Sequence, residues 1–564
     1  MSENCTITNE QINDLPLLLG IMEEMGVRRV IDAQIRPHGN WEGISVGTAV
    51  SVWLCHLLME RDHRVVSVRE WGADRQQTLA DLLGQVLRET DLSDDRLANV
   101  LTMLSDPGDQ AAMDTALAQD WIAVYALPRE VVRLDSTSVS VYHDDRPKES
   151  LLHNGHSKDH RPDLAQFKVM LASLDPLGMP LCGHLVPGNA ADDGLYVPAY
   201  DAAVRTLGTA EVLIVGDSKM GSLATRAHIV GGGSAYLCSY RPPRATVEIT
   251  GWIEEALVHQ ERWQEVREVD ERTGEISTLA VIDEGERTQS LGSRTWTERV
   301  LVVRSAQMQA GLRRKREAAL ARLSEQLDVL RLPPARGRAR YRTRAALEEV
   351  VSTLVRRAHL EGVVEVPVEE EVCPKGTRRW IVGAYSVSLV AWEALVARLG
   401  WHIYVTSTTR AQYTAPALVH AYRHQVIQER GFARLKTRNL QIRPVYLHDE
   451  QRISGLTWLL TLALRVLTVV EYRLRTVLHQ RGETLVGLNP AAPTQATQRP
   501  TTERVLHAFH NITRTHIIHD GQTFGHVTPL TPLQEKILSL LRLPADLYAR
   551  LGTTAPQPLL NLRE

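Results

Sequence analysis

The chain has 564 residues, enough for two to four domains, and 43% of them are apolar, an ordinary fraction for a soluble globular protein. Its formal charge of −3 excludes a chain that is basic throughout, so any nucleic-acid contact must rest on local patches. The five cysteines, Cys5, Cys55, Cys182, Cys238 and Cys373, include no CxxC pair, which argues against a disulfide framework or a structural zinc site.

The first residues, MSENCTITNEQINDLP, lack a basic region followed by an apolar core, so no secretory signal is expected and the expected location is the cytoplasm. Up to about residue 125 the apolar positions recur at helical spacing, in LPLLLGIMEEMGVRRVIDAQI, GTAVSVWLCHLLME and LSDDRLANVLTMLSD, the last with Ser93 as its N-cap. From about 129 the period becomes that of strands. VVRLDSTSVSVY, FKVMLASLD and MPLCGHLVPG predict three of them, with the turn PLG joining the last two. VPAYDAAVRTLG predicts a helix ended by Gly208, and EVLIVGDS a continuous apolar strand of the kind buried on both faces. Together they predict a mixed α/β domain.

Residues from about 241 to 380 hold short strand-like pieces and a long charged helical pair, with RLPPARGRARYRTR between its halves. GWHIYVTSTT restores a core strand, and YRHQVIQERGFARLK follows at helical spacing. The most apolar run, GLTWLLTLALRVLTVVEYRLR, carries Arg465 in its middle and Glu471 near its end. A membrane span of about 20 residues would make such charges costly, so the run predicts a buried helix and no membrane contact. Residues 485–502 read as a linker, and TPLQEKILSLLRLP closes a small C-terminal unit.

Asp135 lies inside a strand, and Asp217 ends VLIVGD. A carboxylate in a core strand is costly to bury unless something neutralises it, and a divalent cation is a suitable partner; a strand-end or capping residue is the plainer reading of either Asp alone. If the strands are neighbours, the two can face one site, with Glu429 as a third carboxylate. Tyr422, Gln425, Glu429 and Lys436 recur at steps of three, four and seven, which puts all four tips on one stripe of a single helix. That stripe could equally be a solvated amphipathic face. Three carboxylates holding two metal ions about 3.5–4 Å apart would suit in-line displacement at phosphorus.

These residues also resemble a family. Tyr422, Glu429 and Lys436 fit the Y-R-E-K spacing of DDE transposases of bacterial insertion sequences, in the superfamily often labelled IS-four, while Gln425 stands at the Arg position. LDSTS around Asp135 and VGDSKM around Asp217 resemble the two Asp segments, and GHSKDHRPDLAQFKVML and PGNAADD the stretch between them. SDDRLANVL and IRPVYLHDEQRI extend the resemblance over most of the chain. A second departure is Gly455, where many relatives are expected to carry His. The resemblance implies an α/β fold: a ribonuclease H-like mixed-sheet catalytic core with an insertion domain, preceded by an α-helical N-terminal domain. The expected division is 1–125 helical and DNA-binding, 126–240 core, 241–380 insertion, 381–484 core, and 485–564 linker with a small helical region. It further implies two Mg²⁺ or Mn²⁺ ions on Asp135, Asp217 and Glu429, and phosphates positioned by Tyr422 and Lys436.

Other groups allow more than one reading. His153, His156 and His160 in HNGHSKDH match no common closed zinc site; a basic loop with Lys158, His160 and Arg161 near phosphates, or an exposed polar loop, fits them better. Arg313, Arg314, Lys315 and Arg316, with Arg336, Arg338, Arg340, Arg342 and Arg344, form the strongest basic patch and suit DNA phosphates. Against this, Leu312, Leu320, Leu323, Leu327 and Leu330 predict a helix that packs one side and leaves its charges solvated. No phosphate loop precedes a Lys, and no nucleophile elbow appears, so ATP use and Ser hydrolase chemistry are not expected. The sequence thus predicts transposition on terminal repeats and target DNA, by a homodimer because two ends must be joined. A metal-dependent nuclease without strand transfer and a catalytically silent DNA-binding protein are the other readings.

Overall fold

A computed structural model describes residues 5–142, 150–155, 157–241, 246–269, 274–332, 341, 343–372, 378–519 and 522–553. Two units divide the chain, one formed by 1–236 with 421–564 and the other by 237–420.

The first unit begins with a strand, β1 (Cys5–Gln11), ahead of the helices α1 (Leu15–Glu24), α2 (Val27–Gln34), α3 (Val46–Glu60), α4 (Val65–Ala73), α5 (Gln76–Leu83), α6 (Asp94–Met103) and α7 (Pro107–Tyr125). Local signals set their ends. The Ser45 hydroxyl accepts from the Thr48 N–H to start α3, and Asp106 accepts from Gly108 and Asp109 N–H to start α7, with Pro107 in its first turn. Ser93 does begin α6, but its hydroxyl donates back to the Thr90 carbonyl and caps nothing.

Next come β2 (Val131–Val141), β3 (Ala165–Asp175), β4 (Met179–Pro187), α8 (Tyr196–Leu207), β5 (Leu213–Gly216) and α9 (Leu223–Gly231). In this unit the strands stand in the order β4-β3-β2-β5. β2, β3 and β4 pair antiparallel, whereas β5 runs parallel to β2, with Leu134 opposite Gly216. A parallel neighbour needs a crossover, which α8 supplies; Gly208 ends it in the left-handed region, at φ 69°.

The second unit opens inside β6 (Ala235–Ser239) and continues through α10 (Thr246–Val258), β7 (Gln264–Val269), β8 (Ile276–Leu291), β9 (Arg294–Ser305), α11 (Ala306–Arg331) and α12 (Arg344–Ala358). The short strands β10 (Val364–Glu365), β11 (Val368–Val372), β12 (Arg378–Val382) and β13 (Ser386–Val387), then α13 (Leu389–Ala397) and β14 (Trp401–Thr406), complete it. Its sheet runs β6-β14-β9-β8-β7, antiparallel at each pairing. Leu323 and Leu327 of α11 are buried with Leu347, Val351 and Val355 of α12, while Leu320 and Leu330 are partly buried against them.

From residue 421 the chain is back in the first unit. α14 (Ala415–Arg423) ends there and α15 (Val426–Ala433) follows; a π-helical turn, Arg434–Arg438, and α16 (Glu450–Arg481) come next. The expected single helix from Tyr422 to Lys436 is therefore corrected to two helices and a wider turn. Its cause is tertiary: Arg133 donates to the carbonyls of Ala421 (2.5 Å) and Tyr422 (3.5 Å), acceptors that a continuing helix would use itself.

Among the described residues α16 is the helix long and apolar enough to cross a membrane, yet it is buried in protein. Arg465 donates to the Pro180 and Leu181 carbonyls at 2.9 and 2.8 Å and lies 2.7 Å from Asp114 Oδ1. Gly455 is explained by proximity: a Cβ there would lie 2.0 Å from the Leu101 carbonyl oxygen of α6, so no larger residue fits. β15 (Leu485–Val486), β16 (Ala496–Thr497), α17 (Thr502–His507), β17 (Thr513–His519), β18 (Gln522–Val527) and α18 (Pro532–Leu540) close the fold. β1 pairs with β17, Ile7 opposite Ile517, so a strand from the start of the chain joins one near its end.

Candidate active site

The ladder between β2 and β5 ends at Leu134 and Gly216, so the next residues on the two parallel strands are Asp135 and Asp217. The structure thereby brings these two carboxylates together. Asp135 Oδ1 accepts from its neighbour's Ser136 N–H at 2.7 Å and from Lys158 Nζ at 3.1 Å. Burial raises the Asp135 pKa above the usual carboxylate range; Lys158 opposes that shift and the charge of Asp217 adds to it. Asp217 Oδ1 accepts from the Tyr196 hydroxyl at 2.6 Å and from the Lys219 N–H at 2.8 Å. Tyr196 is 2% exposed, and burial, then Asp217 and Asp135, push its pKa well up, so at neutral pH it remains a proton donor to Asp217. Among the described residues neither Asp135 Oδ2 nor Asp217 Oδ2 takes a hydrogen bond. Two carboxylates with a free oxygen each, balanced by one ammonium, are a donor set that suits a hard divalent cation.

Strand alternation puts Arg133 and Asp135 on one face of β2. Arg133 is buried, its guanidinium 2.8 Å from Asp175 Oδ2, and through the Ala421 and Tyr422 carbonyls it holds the last turn of α14. α15 starts at once beyond this clamp. Gln425 is exposed at its N-cap position, and its carbonyl accepts from the Glu429 N–H at 3.1 Å, so Glu429 follows one turn later. The Glu429 side chain is exposed, and no described group of three His, Cys, Asp or Glu side chains is gathered closely enough to hold a metal ion. The helix that bears Glu429 thus starts just past the turn clamped to Asp135's strand, without the carboxylate being drawn in beside Asp135 and Asp217.

Lys436, in the π-helical turn, is buried and donates to Asp159 Oδ1 at 2.8 Å, while Arg443 donates to Asp159 Oδ2 at 2.8 Å. Burial lowers the Lys436 pKa; Asp159 counters this, and the charges of Arg443 and Lys158 lower it further. The loop carrying Lys158 and Asp159 therefore joins Asp135 to Lys436 by consecutive ion pairs. Tyr422 is half-buried in the last turn of α14. Arg161 pairs with Asp163 at 2.7 Å and is exposed. His153 and His160 join no metal-binding group among the described residues, and His156 lies outside them.

On α11, Arg313 pairs with Glu317 at 2.9 Å, Arg316 donates to the Ala358 carbonyl at the end of α12, and Arg314 and Lys315 are exposed without a described partner. Arg344 pairs with Glu348 at 2.7 Å; Arg336, Arg338, Arg340, Arg342 and Cys373 lie outside the described residues. Sequence reasoning missed Arg133, Tyr196, Asp159 and Arg443. A signal existed only for Arg133, two residues before Asp135 on a strand and hence on its face.

A family model described as "Transposase DDE domain" matches residues 126–466, and one described as "Domain of unknown function (DUF4277)" matches 7–116. No curated protein matches the chain. Among solved structures, a similar one is the cryo-EM structure of the piggyBac transposase synaptic complex with hairpin DNA, 7% identical, covering 88% of this chain and 79% of that one at a TM-score of 0.35. The first of these models spans more than half of the chain, including Asp135, Asp217 and Glu429: the chain belongs to the transposase DDE domain family.

Proposed function

We propose that this protein cuts DNA at the ends of an insertion sequence and joins them to target DNA, as a Y-R-E-K transposase of the IS-four superfamily with a ribonuclease H-like core. The carrying observation is the adjacency of Asp135 and Asp217 on parallel strands, neither Oδ2 taking a hydrogen bond among the described residues, with the helix that bears Glu429 starting just past a turn clamped to the same strand. The strand order β4-β3-β2-β5, three antiparallel and one parallel, is compatible with such a core. In this reading 1–125, apart from β1, is a helical DNA-binding domain, 126–240 and 381–484 form the core, 241–380 is an insertion, and 485–564 is a linker with a small region in which β17 and β18 accompany the helices.

Asp135, Asp217 and Glu429 would hold two Mg²⁺ or Mn²⁺ ions, which when bound supply nucleophile activation and charge neutralisation at phosphorus. Tyr196 holds Asp217 through Oδ1, which leaves Oδ2 to take a cation. Lys158 balances the pair when no other cation is present and is near enough to grip a phosphate once released. Tyr422, Gln425 and Lys436 would position phosphates of the cut end, and the exposed charges of α11 would contact flanking DNA. Water attacks the phosphodiester at the element's end, freeing a 3′-hydroxyl and leaving a 5′-phosphate. That hydroxyl then attacks a target phosphodiester, so one bond forms as one breaks. Joining two ends calls for a homodimer, acting in the cytoplasm.

The test incubates purified protein with Mg²⁺ and DNA carrying the flanking repeats, then maps the ends. Free 3′-hydroxyls at the repeat boundary and joined target strands are expected. Cutting without joining from precleaved ends would mean a nuclease, and binding without cutting a silent DNA-binding protein.

A further inference from the structure

We propose that Arg133 is a positioning residue for the helix-borne half of the active site: it sets where α15, and with it Glu429, stands relative to Asp135. This inference rests on the reading of Glu429 as the third carboxylate.

The chain of interactions is short. Arg133 sits two residues from Asp135 on β2, on the same face. It is 5% exposed, and its orienting partner, Asp175 at the end of β3, is 6% exposed, with 2.8 Å between Nη2 and Oδ2. The guanidinium donates to the carbonyls of Ala421 and Tyr422, a cation at a helix C-terminus where the backbone's partial negative charge collects. Three residues past Tyr422, the Gln425 carbonyl takes the N–H of Glu429. The clamp at Tyr422 and the carboxylate at Glu429 are thus seven residues apart, about two turns of backbone.

A second close approach is made on α15 itself. Gly178, in the turn between β3 and β4, has φ 68°, and a Cβ there would lie 2.4 Å from Ile427 Cγ2 and 3.3 Å from the Ile427 carbonyl oxygen. Ile427 is two residues before Glu429. β2 therefore holds the end of α14 and the β3–β4 turn lies against the start of α15, one on each side of the break, and of the two only Arg133 shares a strand with Asp135. The carbonyls that Arg133 takes are those of the α14 turn directly before α15, so two residues separate its hold on the backbone from the Gln425 N-cap from which the helix bearing Glu429 starts.

The test uses the full chain with Arg133→Ala, Arg133→Lys, Asp175→Asn and Gly178→Ala. Hydrogen exchange of the 426–433 amides should quicken about tenfold in Arg133→Ala, as a buried charge-assisted clamp is removed, while β3 and α16 keep wild-type protection. The Mn²⁺ concentration for half-maximal cleavage should rise roughly 10–100-fold with DNA affinity unchanged. Arg133→Lys, which keeps the charge but not the fork, should restore part of both. If Arg133→Ala does not fold, Gly178→Ala and Asp175→Asn carry the same two readouts. Wild-type exchange in 426–433 and an unchanged Mn²⁺ midpoint in folded variants would overturn the proposal. Retained cleavage in Glu429→Gln would instead overturn the reading on which it rests, a result visible without any Arg133 variant.

Discussion

Two clusters of charge in the first unit use opposite arithmetic. Around Glu471 of α16, itself 6% exposed, three guanidiniums converge: Arg430, Arg434 at 2.6 Å and Arg475 at 2.9 Å, and Arg434 also reaches Glu503 at 2.7 Å. Around Asp135 and Asp217, one ammonium pairs with Asp135 alone, and among the described residues each carboxylate keeps an oxygen without a hydrogen bond. The first cluster lacks nothing; its carboxylates are saturated, and it ties α15, the π-helical turn, α16 and α17 into one body. The second is short of positive charge. A deficit of countercharge in a half-buried place is costly for stability, and it persists where an absent cation or substrate is to complete it. The difference separates a charge that holds the fold from one that works.

The sharpest way to break this comparison is to neutralise the deficient pair. Asp135→Asn and Asp217→Asn should each abolish cleavage, by on the order of 10³-fold or more, with DNA binding kept. Glu429→Gln should do the same. Since burial and like charge already raise the Asp135 pKa, Asp135→Asn should leave the thermal midpoint unchanged or higher. Near wild-type cutting by any of the three would remove that residue from the site.

In the saturated cluster the expected effect is on stability. Glu471→Gln leaves three buried or half-buried guanidiniums without their shared partner, which should destabilise the protein by about 3–5 kcal/mol in urea titration. A loss below about 1 kcal/mol would show that the cluster is solvated and that the contrast with Asp135 is only apparent.

A lone buried carboxylate gives the intermediate case. Asp14, before α1, is 2% exposed with no described side chain bonded to it, and burial raises its pKa to about 7; Glu60 adds to the shift while its own backbone hydrogen bond and Arg75 oppose it. The native state then holds the proton more tightly than the unfolded chain. Stability from this group is full below about pH 4 and is lost as pH rises to 7. Asp14→Asn should therefore gain on the wild type by roughly 2–3 kcal/mol between pH 5 and pH 8, read from urea midpoints. A gap independent of pH would place the carboxyl in water.

How much of this was legible depends on the range of the interaction. β2 to β5 follow from alternation and apolar runs, and Asp135 and Asp217 announce themselves as carboxylates in core strands. Their adjacency needed only a parallel register. By contrast, the break after Arg423 depends on Arg133, nearly 290 positions away, and the Lys436–Asp159 pair spans 277. Nothing local in YRHQVIQERGFARLK ends a helix there, so periodicity alone ran through it. β1 was hidden likewise, because its partner β17 lies some 500 residues on. Gly455 was visible as an oddity, but its reason, the Leu101 carbonyl, belongs to another helix.

The smallest expected effect carries the same comparison to the surface of α11. Of its four adjacent basic residues, Arg313 is paired with Glu317 and Arg316 closes the end of α12, while Arg314 and Lys315 are exposed and have no partner among the described residues. If saturated charges hold the fold and unsatisfied ones work, the four should split into two functional pairs. Neutralising one phosphate-binding side chain takes about one unit from the slope of log K against log salt concentration. Arg314→Ala with Lys315→Ala should therefore flatten the slope by about two at unchanged thermal stability. Arg313→Ala with Arg316→Ala should leave the slope within about half a unit and lower stability by roughly 1 kcal/mol, chiefly because the Ala358 carbonyl is left uncapped. The measurement is a salt series of DNA binding beside thermal unfolding for both double variants. Slopes equal to the wild type in both would mean that the charges of α11 are only solvated. The same flattening in both would mean that Arg313 and Arg316 leave their protein partners for DNA, and that a pairing seen without substrate does not mark a structural charge on this helix.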